Sequence, residues 1–185
     1  MSKQEAELKG VEDYAVECSL IKVGASEDLQ NCSDEGIQIF GGMGFSADTP
    51  MESAWRDARI GRIYEGTNEI NRMLSVGMLL KKGMKGQIDL MGFVMKAASA
   101  LGENTSDEII SDKHLSQEIS IISKFKNLFL ILLGNVVQKF GNELEKQQQI
   151  LLSLSDILIE IYFSESALYR TCLLYTSDAA DDVEC

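Results

Sequence analysis

The stretch Arg59-Ile60-Gly61-Arg62-Ile63-Tyr64-Glu65-Gly66-Thr67-Asn68-Glu69-Ile70 sets one carboxylate between a basic, β-branched run and a glycine. Gly66 reaches backbone angles that other residues resist. Thr67 is a residue type that caps helices, and an amphipathic segment follows it. Glu65 is therefore expected on a tight turn at the mouth of a helix, held by backbone. A carboxylate fixed in that way can act as a general base. The same residues are also an ordinary way to begin a helix, and spacing alone favours that plainer reading.

A second stretch, Gln38-Ile39-Phe40-Gly41-Gly42-Met43-Gly44-Phe45-Ser46, carries three glycines. Glycines can let backbone amides approach a phosphate. This run is not GxGxxG, no strand precedes it and no P-loop lysine follows, so on spacing it reads as a glycine-stopped helix. Arg56, Asp57, Arg59 and Arg62 read as a local ion-pair network rather than as an anion site. Cys18, Cys32, Cys172 and Cys185 lack CxxC or metal-ligand spacing and read as isolated thiols of a reducing compartment. His114 is the only histidine, in a polar stretch, which nearly excludes His-based triads and multi-histidine metal sites.

These residues need helices to position them. One proline in 185 residues and no long β-branched run point to an all-α chain, and 45% hydrophobic residues suffice for a core. The net charge of −12 disfavours nucleic acid and anionic membrane as partners. The polar start carries no signal-peptide pattern, and no uninterrupted apolar run reaches membrane-spanning length.

Apolar periodicity predicts a long helix over 3–40, with Val11, Tyr14, Ala15, Cys18, Leu20, Ile21, Leu29, Cys32, Ile37 and Phe40 on its core face. Gly10, Gly24 and Gly36 are candidate bends. A short helix follows over 51–58, with Thr49 as cap, Pro50 at its first position and Ala54, Trp55 and Ala58 packing. An amphipathic helix spans 67–82. Beyond a glycine break come a short helix over 90–101, a polar loop over 102–112, and long helices over 115–140 and 143–170. The last two form a helical hairpin, with Asn142 capping the second.

Three ordered pieces carry a resemblance: Gln38-Ile39-Phe40-Gly41-Gly42-Met43-Gly44-Phe45, Trp55-Arg56-Asp57-Ala58-Arg59-Ile60 and Ile63-Tyr64-Glu65-Gly66-Thr67-Asn68-Glu69-Ile70. In order and spacing they resemble the C-terminal helical domain of acyl-CoA dehydrogenases. Glu145-Lys146-Gln147-Gln148-Gln149-Ile150 and Ser164-Glu165-Ser166-Ala167-Leu168-Tyr169-Arg170-Thr171 are similar to the extra helical region of long bacterial members, whose layout is that of the very-long-chain enzymes. The resemblance implies a partial C-terminal helical-bundle domain over 1–85 and an additional helical hairpin over 86–171.

It also implies oxidation of a fatty acyl-CoA to its trans-2-enoyl-CoA, a base taking the α-proton while a hydride passes from the β-carbon to FAD. Glu65 matches the base, and Glu65 and Gly66 lie where the family meets the substrate thioester. Gln38, Gly41 and Gly42 match a loop that meets the pyrophosphate side of an FAD held mainly by a neighbouring subunit. Thr67, Asn68 and Glu69 match positions touching FAD at the helix start, although Glu69 stands where several members have glutamine. A homo-oligomer, an electron-transfer flavoprotein as acceptor and a bacterial cytoplasmic location come with the family.

The chain departs from the family in lacking a β-rich segment and the first helices of the bundle. It is expected to be a fragment that neither holds FAD nor turns over alone. A non-catalytic helical oligomerisation or scaffolding module is the alternative. Residues 172–185, beginning Cys172-Leu173-Leu174-Tyr175-Thr176-Ser177-Asp178-Ala179-Ala180-Asp181, resemble translated sequencing adapter. They are set aside as a non-native tail, in which Cys172 and Cys185 carry no meaning.

Overall fold

Where the chain must be helical, apolar spacing decides which side of each helix is buried. The computed structural model describes residues 3–101 and 115–181; His114, Cys185 and the loop expected over 102–112 lie outside these. Among the described residues all regular structure is helical and there is no strand. The chain divides into two compact units, Met1–Leu79 and Leu80–Cys185, the division falling inside one helix.

In the first unit, α1 (Lys3–Asp13) and α2 (Ala15–Phe40) replace the single helix expected over 3–40. The break falls at Tyr14 (φ −103°, ψ 13°), while Gly10, Gly24 and Gly36 stay helical. Tyr14 N–H still donates to Gly10 O (3.2 Å) and Cys18 N–H to Tyr14 O (2.9 Å), so the backbone is dislocated locally without losing its ladder. A 3-10 turn (Gly41–Phe45) leads to α3 (Pro50–Gly61) and α4 (Asn68–Met84). Pro50 begins α3 as expected, but the Thr49 side chain does not cap it. Its hydroxyl donates instead to Met43 O (2.8 Å), tying the cap residue back to the glycine turn.

The inward face of the first helices is not the one that apolar spacing predicts. Leu20 is buried, but Val11, Tyr14, Cys18, Ile21, Leu29, Cys32 and Phe40 are exposed. Val16, Ser19, Val23, Gln30 and Ser33 point inward instead. Small residues allow close helix approach, and the inward hydroxyls are satisfied along the helix, Ser19 donating to Ala15 O and Ser33 to Leu29 O. At Gly36 an added Cβ would lie 2.3 Å from Met51 Cε, the free end of a flexible side chain, where α2 meets α3. Ala54 is likewise exposed, whereas Ala58 is buried and the Trp55 indole donates to Asp34. Arg56 pairs with Glu52 (3.5 Å) and Arg62 with Glu27 (3.5 Å), so these two arginines take partners outside the stretch expected to pair within itself.

The second unit holds α5 (Leu90–Ala100), α6 (Ser116–Phe140), a 3-10 turn (Gly141–Lys146) and α7 (Gln148–Asp181). Asp89 caps α5 by accepting from Gly92 N–H (3.0 Å). Asn142 does not cap α7, because Gly141 (φ +48°) opens the intervening 3-10 turn and α7 begins only at Gln148. Phe129, Leu133, Leu144, Leu151, Leu154, Ile161 and Leu168 are buried, and Lys126 pairs with Glu165 between α6 and α7.

No uninterrupted apolar run is long enough to span a membrane, but by length and mean composition Ser116–Lys146 passes that test, its best window having a mean hydropathy of 1.5, as core helices of bundles also do. Uninterrupted runs miss it because Lys124, Lys126 and Asn127 break the apolar stretch. Helix α7 continues into the segment set aside as a tail, as far as Asp181.

Candidate active site

Glu65 sits in the left-handed region (φ +54°), as does Gly66 (φ +83°). Glu65 and Leu115 are the non-glycine residues with positive φ among those described. That conformation costs an L-residue roughly 1–2 kcal/mol and persists only where the surroundings impose it. Glu65 is exposed.

The surroundings that impose it are polar. Asn68 N–H donates to Arg62 O (3.1 Å), closing the loop that carries Glu65. Thr67 Oγ1 accepts from Ile70 N–H (3.3 Å), so the expected cap forms, and α4 starts directly behind the turn. Asn71 Nδ2 donates to Gly66 O (2.9 Å). Across from the turn, α2 contributes Lys22, whose Nζ donates to Gly66 O (2.7 Å) and to Asn68 Oδ1 (2.7 Å).

The Asn68 side chain is fully buried. Its Nδ2 donates to Ser26 Oγ (3.0 Å) and Glu27 Oε1 (3.0 Å). A cation on one side and a carboxylate on the other leave no doubt which end of the amide is oxygen. Glu27 in turn takes both Arg72 nitrogens, Nη1 to Oε1 (2.8 Å) and Nη2 to Oε2 (2.7 Å), a bidentate pair. These hydrogen bonds from Arg72, helped by the Asn68 amide and by the charges of Arg72 and Arg62, hold the Glu27 carboxyl below the usual range against an opposing desolvation.

The residues assigned from the sequence thus separate. Glu65, Gly66, Thr67, Asn68 and Glu69 are together at the start of α4, with Glu69 exposed and Asn68 turned inward. Gln38, Gly41 and Gly42 are exposed at the far end of α2, where Gly41 N–H donates to Gln38 O. From Lys22 to Gln38 the helix rises about 24 Å, so the two stretches are distinct patches. Gly41 has φ +60°, and added Cβ atoms at Gly41 and Gly42 would meet no atom within 4 Å. The backbone is open there, and a helix N-terminus stands behind Glu65; backbone amides at places of either kind can accept an anionic group. No group of three or more His, Cys, Asp or Glu side chains among the described residues is arranged to hold a metal.

Lys22, Ser26, Glu27 and Arg72 were not singled out by sequence reasoning. For the three on α2 a signal was available: the polar residues Ser19, Lys22, Ser26, Glu27 and Gln30 recur at helical spacing on the face that also carries Val23.

A family profile described as "Acyl-CoA dehydrogenase, C-terminal domain" matches residues 2–79, and a second of the same description matches residues 124–183. The chain belongs to the acyl-CoA dehydrogenase family. A probable acyl-CoA dehydrogenase of Bacillus subtilis is 41% identical over 163 residues, 88% of this chain and 27% of that protein. The very long-chain specific acyl-CoA dehydrogenase of Rattus norvegicus mitochondria is 28% identical over 179 residues, again covering 27% of the relative. The crystal structure of an acyl-CoA dehydrogenase from Bacillus anthracis complexed with FAD superposes with a TM-score of 0.88 at 40% identity, over 92% of this chain and 30% of that one. The chain therefore spans about a quarter of the length of these relatives.

Proposed function

We propose that this chain is the C-terminal part of an FAD-dependent acyl-CoA dehydrogenase that converts fatty acyl-CoA to trans-2-enoyl-CoA, with Glu65 as the base. The observation that carries the reading is an exposed glutamate held left-handed at a capped helix start. Glu65 takes the α-proton onto its carboxylate. Its backbone N–H, with the Gly66 turn, orients the thioester oxygen where negative charge develops. Gln38, Gly41 and Gly42 receive the cofactor of a neighbouring subunit through open backbone, and Thr67 and Glu69 face the cofactor at the helix start. Asn68 serves from inside, through its side-chain contacts. Bound FAD supplies the hydride acceptor.

On this reading residues 1–85 belong to the C-terminal bundle and 86–171 to an additional helical region, with 172–185 a non-native tail. The enzyme is a homo-oligomer that passes electrons to an electron-transfer flavoprotein in the bacterial cytoplasm, and the 185-residue chain is inactive alone. Exposed Ile21, Leu29 and Phe40 on α2, with Tyr14 at its start, support burial of that face against further protein.

The test is Glu65→Gln in a full-length enzyme in which this chain replaces the matching segment of the Bacillus subtilis relative. Anaerobic mixing with acyl-CoA should leave the flavin bound but slow its bleaching by about 10²–10⁴-fold, the usual contribution of a general base. Bleaching within about a factor of ten of the parent would remove Glu65 from the role.

A further inference from the structure

We infer that Lys22 is a positioning residue for Glu65, working through the Gly66 carbonyl and the buried Asn68 amide; the inference rests on the reading of Glu65 as the base. Lys22 lies 44 positions before Gly66, yet its ammonium donates at 2.7 Å both to Gly66 O and to Asn68 Oδ1. The two acceptors flank Thr67, so one cation grips the turn on both sides of its cap. Gly66 by itself is the most freely rotating residue of the loop, and Glu65 left to itself would leave the left-handed region.

The grip is anchored in depth. Asn68 offers its oxygen to Lys22 because its nitrogen is committed to Glu27 and Ser26. Glu27 is held in place by the Arg72 fork. The chain Arg72–Glu27–Asn68–Lys22–Gly66 thus runs from the body of α4 through α2 and back to the turn. Its end point is the direction of the Gly66 carbonyl, one residue from the carboxylate. Lys22 touches neither the α-carbon's base nor any reacting atom, and its effect is on where that base points.

The experiment uses Lys22→Met, Lys22→Gln and Lys22→Arg in the same full-length enzyme. Lys22→Met keeps the aliphatic stem and removes the donor. It should retain bound flavin and slow bleaching by about 10–100-fold, the scale of a misplacement of about an ångström. The loss should appear in kcat rather than KM, and the isotope effect with α-deuterated acyl-CoA should rise. Lys22→Gln, which keeps one donor group and guards against a Met variant that fails to fold, should fall between Met and parent. Lys22→Arg should recover most of the rate. Parent-like bleaching in Lys22→Met, or equal losses in all three variants that track only their melting temperatures, would overturn the inference.

Amide hydrogen exchange on the 185-residue chain separates this from the identity of the base. Lys22→Met should speed exchange in the 65–68 turn by about tenfold or more while leaving α7 unchanged, as expected for a local opening. Unchanged exchange there overturns the positioning role even if Glu65→Gln is inactive. Faster exchange together with an active Glu65→Gln enzyme retains the grip on the turn and discards the base.

Discussion

Lys22 Nζ sits 2.7 Å from the carbonyl oxygen of Gly66, the residue that follows the candidate base. This joins a long helix to a short turn that the chain reaches only after two further elements. The turn therefore depends on the fold of the whole first unit, and substitutions on either side of the contact should be felt at Glu65.

Gly66→Ala should destabilise the chain by about 1–2 kcal/mol, the cost of a left-handed L-residue. The φ of +83° disfavours any side chain, and the added Cβ would lie 2.9 Å from Asn71 Nδ2, the atom that donates to Gly66 O. Urea denaturation of the 185-residue chain measures the loss. An unchanged midpoint would mean that the turn adopts another conformation in solution.

The Glu27 carboxyl titrates below its usual range because Arg72 donates two hydrogen bonds to it. The folded state therefore binds its proton less readily than the unfolded chain, where a glutamate titrates near about 4.3. The resulting stabilisation is complete above that value and is lost as pH falls from there through the folded pKa. Glu27→Gln should cost about 1.5–3 kcal/mol at neutral pH, the range for hydrogen bonds to charged groups. It should also flatten the stability profile of the first unit in that acidic window. A variant whose profile stays parallel to the parent's would show that other carboxyls carry the acid sensitivity.

The sequence made the turn legible but not its support. Gly66 and Thr67 announce a capped helix start by residue type alone, and the structure has one. Helix spans were readable because apolar spacing and glycine stops are local signals. The buried face of α2 was not, because Val11, Tyr14, Ile21 and Leu29 are more apolar than the inward Ser19, Gln30 and Ser33. Periodicity ranks faces by hydrophobicity, whereas the inward face of α2 mixes Val16, Leu20 and Val23 with the small or hydrogen-bonded Ser19, Gln30 and Ser33. The Lys22–Asn68–Glu27–Arg72 chain was hidden for a related reason. Its members are up to 50 positions apart, and each alone is an ordinary polar residue on a helix.

In the second unit Gly134 lies against Val94, where an added Cβ would come within 2.5 Å of Val94 Cγ1. Gly134→Ala gains about 1 kcal/mol of helix propensity but overpacks the α5–α6 contact, at a cost of about 1–3 kcal/mol. Trimming the facing residue with Val94→Ala should relieve the overlap. A double-mutant cycle should then show the two changes compensating by about 1 kcal/mol or more. Strict additivity in thermal unfolding would mean that α5 does not pack on α6 at this point.

Asn68→Asp gives the sharpest test of how the buried amide is oriented. The side chain is fully buried, with Oδ1 facing Lys22 and Nδ2 facing Glu27 Oε1 at 3.0 Å. Aspartate keeps the shape and keeps an acceptor for Lys22, but it turns the donor toward Glu27 into a second acceptor. Two carboxylates then face each other, one on the fully buried position 68 and one on half-buried Glu27, and one of them should have its pKa raised. The gain of a direct ion pair between Lys22 and the introduced carboxylate opposes this. It leaves the other contact changed all the same, because the Glu27 side turns from attraction to repulsion. At pH 7 the variant should be destabilised by about 1–3 kcal/mol, the scale for a buried polar group that loses its donor. As pH falls toward about 5, one carboxyl of the pair takes up a proton in the folded state before either would in the unfolded chain. The O–H so formed replaces the lost donor, and the penalty relative to the parent should shrink. Chemical denaturation of both proteins from pH 8 to 5 measures the difference. A penalty that stays constant or grows on acidification would mean that the Asn68 amide does not face Glu27 as described.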